Sequence, residues 1–291
     1  MTPLRQRFVD DLRLRNYATR TIQSYVAAVA YLARHFHRSP DQLGAEELRA
    51  FQLHLLQQRV SWSRFNQTVC ALRLFYRLTL GRSELVEHLP FGKRPRTLPV
   101  VLSPQEVLQF LEAATPGRDR VLFQTAYACG LRVSELIRLQ LTDIDSARMV
   151  LHVHQGKGRK DRLVPLSPRL LEELRSYWRQ RRPRTWLFPA QRGAGHLSVH
   201  WVQKLCRRLA ARAGLSKPVT PHTLRHSYAT HLVEAGVNLL TVQQLLGHRD
   251  LQTTARYVHL STHHLQQTPS LLDLLVLPTE PPGPPAAEGR P

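Results

Sequence analysis

Six positions, strung in order along the chain, carry groups that act on phosphate. They are Arg132 in Gly130-Leu-Arg-Val-Ser-Glu-Leu136, Lys157 in Gly156-Lys-Gly158, His222 and Arg225 in His222-Thr-Leu-Arg225, His248 in Leu246-Gly-His248, and Tyr257. Metal-free cleavage of a phosphodiester requires that the charge developing on the nonbridging oxygens be stabilised. Arginine suits this because its guanidinium stays protonated and donates two parallel hydrogen bonds, and Arg132 and Arg225 are the candidates. His222 and His248, with a reference pKa near 6.5, can bind the phosphate or move a proton. Lys157, on the tip of a hairpin, is suited to protonate a departing 5′ oxygen. Tyr257 is the candidate nucleophile. A phenol of reference pKa about 10 attacks only where neighbouring cations stabilise the phenolate, and the basic residues above would do so.

Each residue alone has a plainer reading. A His-x-x-Arg pair is commonly a surface pair, Leu-Gly-His a helix C-cap with a histidine against the dipole, Gly-Lys-Gly a bare hairpin tip, and a lone tyrosine a core aromatic. Order and tight spacing in a strongly basic chain set these six apart. The neighbours His226, His231, His259, His263 and His264 read as ordinary histidines, and Arg159 and Lys160 as DNA contacts or rivals of Lys157. Glu135 is assigned to fixing the helix that carries Arg132.

Other chemistries fit less well. Mg²⁺ needs clustered carboxylates, and the acids near these motifs are Glu135, Asp143, Asp145, Asp161, Glu234 and Asp250, dispersed along the chain. His222 and His226 are four apart but lack the intervening Glu of a zinc His-Glu-x-x-His helix. There is no Gly-x-x-x-x-Gly-Lys phosphate loop. No metal and no cofactor is therefore expected in the reaction.

The elements that position these groups must sit in a chain of 291 residues with 42% hydrophobic content, enough for two ordinary cores. The formal charge of +20 and the isoelectric point near 11.1 favour a polyanionic partner, DNA or RNA first. Residues 271–291 carry Asp273, Glu280, Glu288 and Arg290, so the first 270 residues hold +22. No apolar run approaches the roughly 18 residues that span a bilayer. Met1-Thr-Pro-Leu-Arg5 is charged where a signal peptide would be apolar. Cys70, Cys129 and Cys206 are widely spaced and read as small buried hydrophobes in a reducing compartment. The expected location is the cytoplasm, at the nucleoid.

Residues 1–89 read as a helical DNA-binding domain. Thr19 can cap a helix striped by Ile22, Tyr25, Val26, Val29, Leu32 and Phe36. Leu48–Leu56 suggests another helix, and Phe65, Val69, Leu72, Phe75 and Tyr76 a third that closes near Gly81. Arg20, Arg64, Arg73 and Arg77, beside Gln23 and Asn66, lie on the opposite faces and are candidate phosphate contacts. Residues 90–102 form a basic, proline-rich linker. Ser103-Pro-Gln-Glu106 is a capping box that opens a domain expected over 103–265. Within it, Met149–His154 and Arg162–Pro165 suggest a hairpin, and helices are expected near 167–180, 198–213, 222–235 and 239–246, with Gly236 and Gly247 at C-caps. Residues 266–277 contain the apolar Leu271–Val276. Residues 278–291, with six prolines, are expected to be disordered.

With Thr253-Thr-x-x-Tyr257 added, the motif set resembles the tyrosine recombinase, or phage-integrase, family, in spacing especially its Xer-type and transposon- or integron-encoded members. The catalytic resemblance covers about 97–262. It implies a mainly α fold with a small β-sheet: an N-terminal helical, SAM-like core-binding domain plus an α+β catalytic domain. It implies a site-specific DNA recombinase in which Arg132, Lys157, His222, Arg225 and His248 surround the scissile phosphate. Tyr257 would form a 3′-phosphotyrosyl link, and strands would exchange through a Holliday junction without metal or ATP. The implied partners are double-stranded recombination sites, a homotetramer on two duplexes formed from free monomers or dimers, and an accessory recombinase or DNA-bending protein. There is no membrane partner, and residues 266–277 would dock on a neighbouring protomer. Two readings stay open beside it: a type IB topoisomerase-like enzyme that rejoins the same strand, and a DNA-binding protein with an inactive site.

Overall fold

A computed structural model describes residues 2–93, 98–154, 161–190 and 195–258. It divides into two compact units, residues 1–97 and 98–291. Among the described residues no helix is long and apolar enough to cross a membrane.

The first unit is helical throughout: α1 (Pro3–Leu14), α2 (Thr19–Phe36), α3 (Ala45–Gln57) and α4 (Trp62–Leu74), the last running into a wider π-turn at Phe75–Thr79. Thr2 caps α1 ahead of Pro3, a helix start that apolar periodicity alone did not mark. α2 carries the expected stripe, but Thr19 is its first residue rather than its cap. Ala18 holds the cap position without a side-chain bond. The core joins Phe8 and Leu12 to Val26, Val29, Leu32, Leu48, Phe51, Leu55, Val69, Leu72 and Phe75.

The second unit opens on the expected capping box. Ser103 Oγ accepts from Glu106 N, and Glu106 accepts from Ser103 N at 2.7 Å, starting α5 (Pro104–Glu112). There follow α6 (Arg118–Ala128), the short α7 (Val133–Leu136), and a three-stranded antiparallel sheet in the order β1 (Ile144–Asp145), β2 (Val150–Val153), β3 (Arg162–Pro165). The hairpin β2–β3 matches the sequence reading, while the two-residue β1 carries too little pattern to be read. Then come α8 (Pro168–Arg181), α9 (Val199–Arg212), α10 (Pro221–Glu234), α11 (Leu239–Leu246) and α12 (Leu251–Ala255). The main core packs α5, α6, α8 and α9 on Leu151, Val153 and Val164 of the sheet. A smaller cluster holds Tyr228, Ala229 and Val233 of α10 against Val242, Leu246 and Tyr257. The fold is thus mainly helical with one small sheet.

Cys129 and Cys206 are buried, with their thiols pushed up to about 12 by burial. Cys70 is only half-buried and accepts from the Tyr25 hydroxyl, so the small-hydrophobe reading holds for two of the three.

Candidate active site

The site is assembled around the C-terminal end of α11. The last carbonyls of a helix have no partner inside it and form the negative end of its dipole, so they attract cations. Here three successive carbonyls each take a different arginine. Leu245 O accepts from Arg162 Nε at 2.8 Å, Leu246 O from Arg225 Nη2, and Gly247 O from Arg132 Nη2 at 3.1 Å. Gly247 makes this turn possible. It ends α11 in the left-handed region at φ 59°, and a Cβ there would lie 3.1 Å from Arg162 Cδ.

Glu135 holds the same arginines from the other side. It accepts from Arg132 Nη1 at 2.7 Å and from both terminal nitrogens of Arg162 at 3.0 and 2.7 Å, and lies 3.9 Å from Arg225 Nη1. It also accepts from the Arg132 backbone N–H, which fixes the start of α7. Burial alone would raise its pKa. The hydrogen bonds and charge of Arg162, with Arg132 behind them, hold it down at about 2. The expected role for Glu135 is therefore the observed one, extended to a second arginine.

Arg225 is 1% exposed, and its Nη1 donates to Gly130 O at 2.6 Å. Gly130 supplies that carbonyl from a φ of +55°, and a Cβ on it would strike the Tyr228 ring at 2.3 Å. Burial and the nearby charge of Arg132 push the Arg225 guanidinium down to about 9. Three guanidiniums share one carboxylate, so the pocket carries surplus positive charge at low dielectric, which disposes it toward an anion.

Tyr257 is 1% exposed, its ring packed in the small apolar cluster of α10 and α11. Burial raises the phenol pKa, while Arg225, Arg256 and Arg132 oppose that rise. Its hydroxyl is hydrogen-bonded to His226 Nδ1 at 2.9 Å. His226 is lowered to about 4 by burial and by His222, Arg256 and Arg225, so it is neutral at pH 7 and can take the phenol's hydrogen bond. His248 is lowered to about 3 by burial and by Arg225, Arg132 and Arg256. Its Nδ1 lies 2.9 Å from the buried Thr254 hydroxyl, and a hydroxyl donating there leaves Nε2–H as a neutral donor. His222, in the first turn of α10, meets His226 edge-on at 4.3 Å between centroids. Its pKa is lowered by partial burial and by the same arginines.

Five of the six expected residues, Arg132, His222, Arg225, His248 and Tyr257, therefore belong to one connected cluster. Lys157, with Arg159 and Lys160, lies outside the described residues. Arg20, Arg64, Arg73 and Arg77 belong to the other unit. Arg20, Arg64 and Arg77 are exposed, whereas Arg73 donates to Val86 O and Leu89 O at 2.7 and 2.9 Å. Asn66 pairs through both amide atoms with the Gly92 backbone.

Three residues of the cluster were not singled out from the sequence. Arg162 reads there as a strand residue, but the register pairs it with Val153 on the inward face that also carries Leu151 and Val164. A charged side chain on that face is the signal. Arg256, next to Tyr257, acts on four of the groups above through its charge. His226 reads as an ordinary histidine and instead meets the phenol. His231 is structural as expected, linking Tyr127 OH to Leu102 O at 2.7 and 2.9 Å.

Residues 101–264 match the Phage integrase family, and residues 4–84 match the Phage integrase, N-terminal SAM-like domain. The chain is 46% identical over 286 residues to integrase/recombinase y4qK of Sinorhizobium fredii, covering 98% of this chain and 93% of that one. It is 36% identical to tyrosine recombinase XerA of Thermococcus kodakarensis, covering 90% and 92%. Its fold matches XerH site-specific recombinase bound to palindromic difH substrate in a post-cleavage complex, with TM-score 0.70 and 23% identity over 89% of this chain and 82% of that one. The family match covers more than half of the sequence, and close relatives run along nearly all of it: the chain belongs to the phage integrase family and is a tyrosine recombinase.

Proposed function

We propose that this recombinase cuts and rejoins specific DNA sites through a covalent link to Tyr257. One observation carries the reading: a buried phenol lies within the charge of Arg225 and Arg132, two of the three arginines that share a single carboxylate. The Tyr257 oxygen attacks the scissile phosphorus as its proton passes to His226 Nδ1, 2.9 Å away. The P–O5′ bond breaks, and the electron pair goes to the 5′ oxygen, which Lys157 protonates. The product is a 3′-phosphotyrosyl link and a 5′ hydroxyl. Attack by a 5′ hydroxyl of the partner duplex, its proton returning to Lys157, then reforms a phosphodiester and breaks the P–O bond to Tyr257, whose oxygen takes its proton back from His226. The ester conserves the bond energy, so neither ATP nor a metal enters the balance. Arg132 and Arg225 meet the nonbridging oxygens, where a negative charge relieves their mutual repulsion. His222 and the Nε2–H of His248 add donors.

The wider assembly rests on the family likeness: the helical first domain and the basic linker over 90–102 embracing DNA, four protomers on two duplexes, and residues 266–277 docking on a neighbour. Arg20, Arg64 and Arg77 are open to phosphate contact, while Arg73 is already engaged. The proposed setting is the cytoplasm, on nucleoid or mobile-element DNA.

The test is an SDS-resistant protein–DNA adduct on a nicked duplex with EDTA present. Wild type forms it and Tyr257→Phe does not. An adduct that survives Tyr257→Phe, or that EDTA abolishes, overturns the reading. Transfer of the trapped strand to a second duplex separates recombination from topoisomerase-like rejoining.

A further inference from the structure

Across the sheet from Arg162 lies a second cluster that the strand-transfer chemistry does not use. Alternation along β2 puts His152 on the outward face, and the exposed His154 follows directly after the strand. The antiparallel register pairs His152 with Leu163, which places Asp161, the residue before β3, on that same face. Leu151, Val153, Arg162 and Val164 take the inward face.

The ligand atoms of His152, His154 and Asp161 all lie within 4.8 Å of one another. Asp161 Oδ2 is 3.3 Å from His154 Nδ1 and 3.5 Å from His152 Nε2. Those separations match the edge of a tetrahedral zinc site, about 3.3–3.5 Å for metal–ligand bonds of roughly 2.0–2.2 Å. The orienting contact is present as well. His154 Nε2 is 3.0 Å from Asp143 Oδ1, and the other Asp143 oxygen accepts from Gln140 N at 2.8 Å. Asp143 is 4% exposed, so its carboxylate is fixed by its surroundings. A buried carboxylate bonded to one imidazole nitrogen turns the other toward a metal, as is usual around histidine ligands. The three ligand side chains are 40%, 53% and 46% exposed, which leaves a path for an ion and room for a water as fourth ligand.

We infer that His152, His154 and Asp161 form a binding site for a divalent transition-metal ion of the zinc type, on the face of the β2–β3 hairpin opposite Arg162. The ion joins the two ends of the segment 155–160, which carries Lys157. The site does not rest on the proposed function.

The experiment uses the full-length protein without DNA, titrated with Co²⁺ as a spectroscopic stand-in for Zn²⁺. Wild type should show the visible band of tetrahedral Co²⁺, lost when Zn²⁺ is added. His152→Ala and Asp161→Asn should each weaken binding about 10-fold or more. At the same Zn²⁺ concentration the wild-type thermal midpoint should rise more than that of either variant. Absence of a tetrahedral band, or affinity unchanged in both variants, overturns the site. Should either variant fold poorly, histidine modification of wild type by diethyl pyrocarbonate decides: Zn²⁺ must protect His152 and His154 selectively, and equal labelling with and without metal overturns the inference. None of these readouts involves DNA, so their failure leaves the Tyr257 reading untouched, and the adduct assay leaves this one untouched.

Discussion

The two units bury different things. Among the described residues of the first, the buried polar groups are Gln52, Thr68 and Thr79, all uncharged, inside a core of leucine, valine and phenylalanine. The second buries Arg225, Glu135 and Asp143, with the partly buried Arg162 and Arg132 held on Glu135. The first core consists of groups whose burial favours folding. The second contains three like charges that folding must hold together, and it succeeds by giving them one carboxylate and the end of one helix. Stability is stored where burial is apolar and is given up locally where like charges are held together, at the site proposed to meet the phosphate.

The sharpest way to test this contrast is Arg225→Ala. On the proposed mechanism, loss of this guanidinium should slow cleavage on the order of 10³-fold. DNA affinity should largely survive, because the positive footprint is broad; the salt dependence of binding should fall by about 0.9 for one lost phosphate contact. Binding that collapses with the single change would show that the buried arginines hold the DNA as well as the reaction.

Glu135→Gln tests the second core from the stability side. Removing the one carboxylate leaves like charges uncompensated, and unfolding free energy should drop by about 3–5 kcal/mol in urea denaturation. Acid should act in the same direction. Glu135 has a folded pKa of about 2, below its unfolded value, so its contribution is complete above about 4.3 and is lost as pH falls toward 2. His226 and His248 are lowered to about 4 and about 3, so below about 6.5 the unfolded chain binds protons that the folded one refuses, and stability falls again with acid. The second unit should therefore begin to weaken just below pH 6.5 in wild type. In Glu135→Gln the further loss between about pH 4 and pH 2 should be reduced. A flat profile from pH 7 to pH 4 would show that the histidines do not retain these shifts.

The smallest effects separate two arginines of the first unit. Arg77→Ala, at an exposed position, should change stability by no more than about 0.5 kcal/mol and reduce the salt slope of DNA binding by about 0.9. Arg73→Ala should do the reverse. It leaves the Val86 and Leu89 carbonyls without their donor at a cost of about 1–3 kcal/mol, with the salt slope unchanged. A salt slope that falls for Arg73→Ala would return it to the DNA-contacting set.

Much of this was legible in the sequence because local chemistry encodes it. Ser103 and Glu106 announce a helix start by their spacing. Met149–His154 and Arg162–Pro165 announce a hairpin, and His222 and Arg225 lie together because a helix turn puts them there. What was not legible depends on partners distant in the chain. Arg162 joins the cluster through Glu135, 27 residues away, and through Leu245 O, 83 residues away. His226 gains its meaning only when α12 brings Tyr257 to it. Thr19 failed as a cap because the backbone turns one residue earlier, at Ala18, a boundary that periodicity does not resolve. Arg73 carried the same signal as Arg77 in the sequence, and only the path of residues 86–91 distinguishes them.

The acceptors at the end of α11 belong to the peptide chain and not to any side chain. No side-chain replacement removes those oxygens themselves; a change at Gly247 or at the buried Leu246 acts on them only by disturbing the turn that places them. Changing the peptide links themselves to esters would weaken each oxygen as an acceptor without altering shape. The part of the site that orders the three cations is thus written in backbone geometry and not in any one side chain.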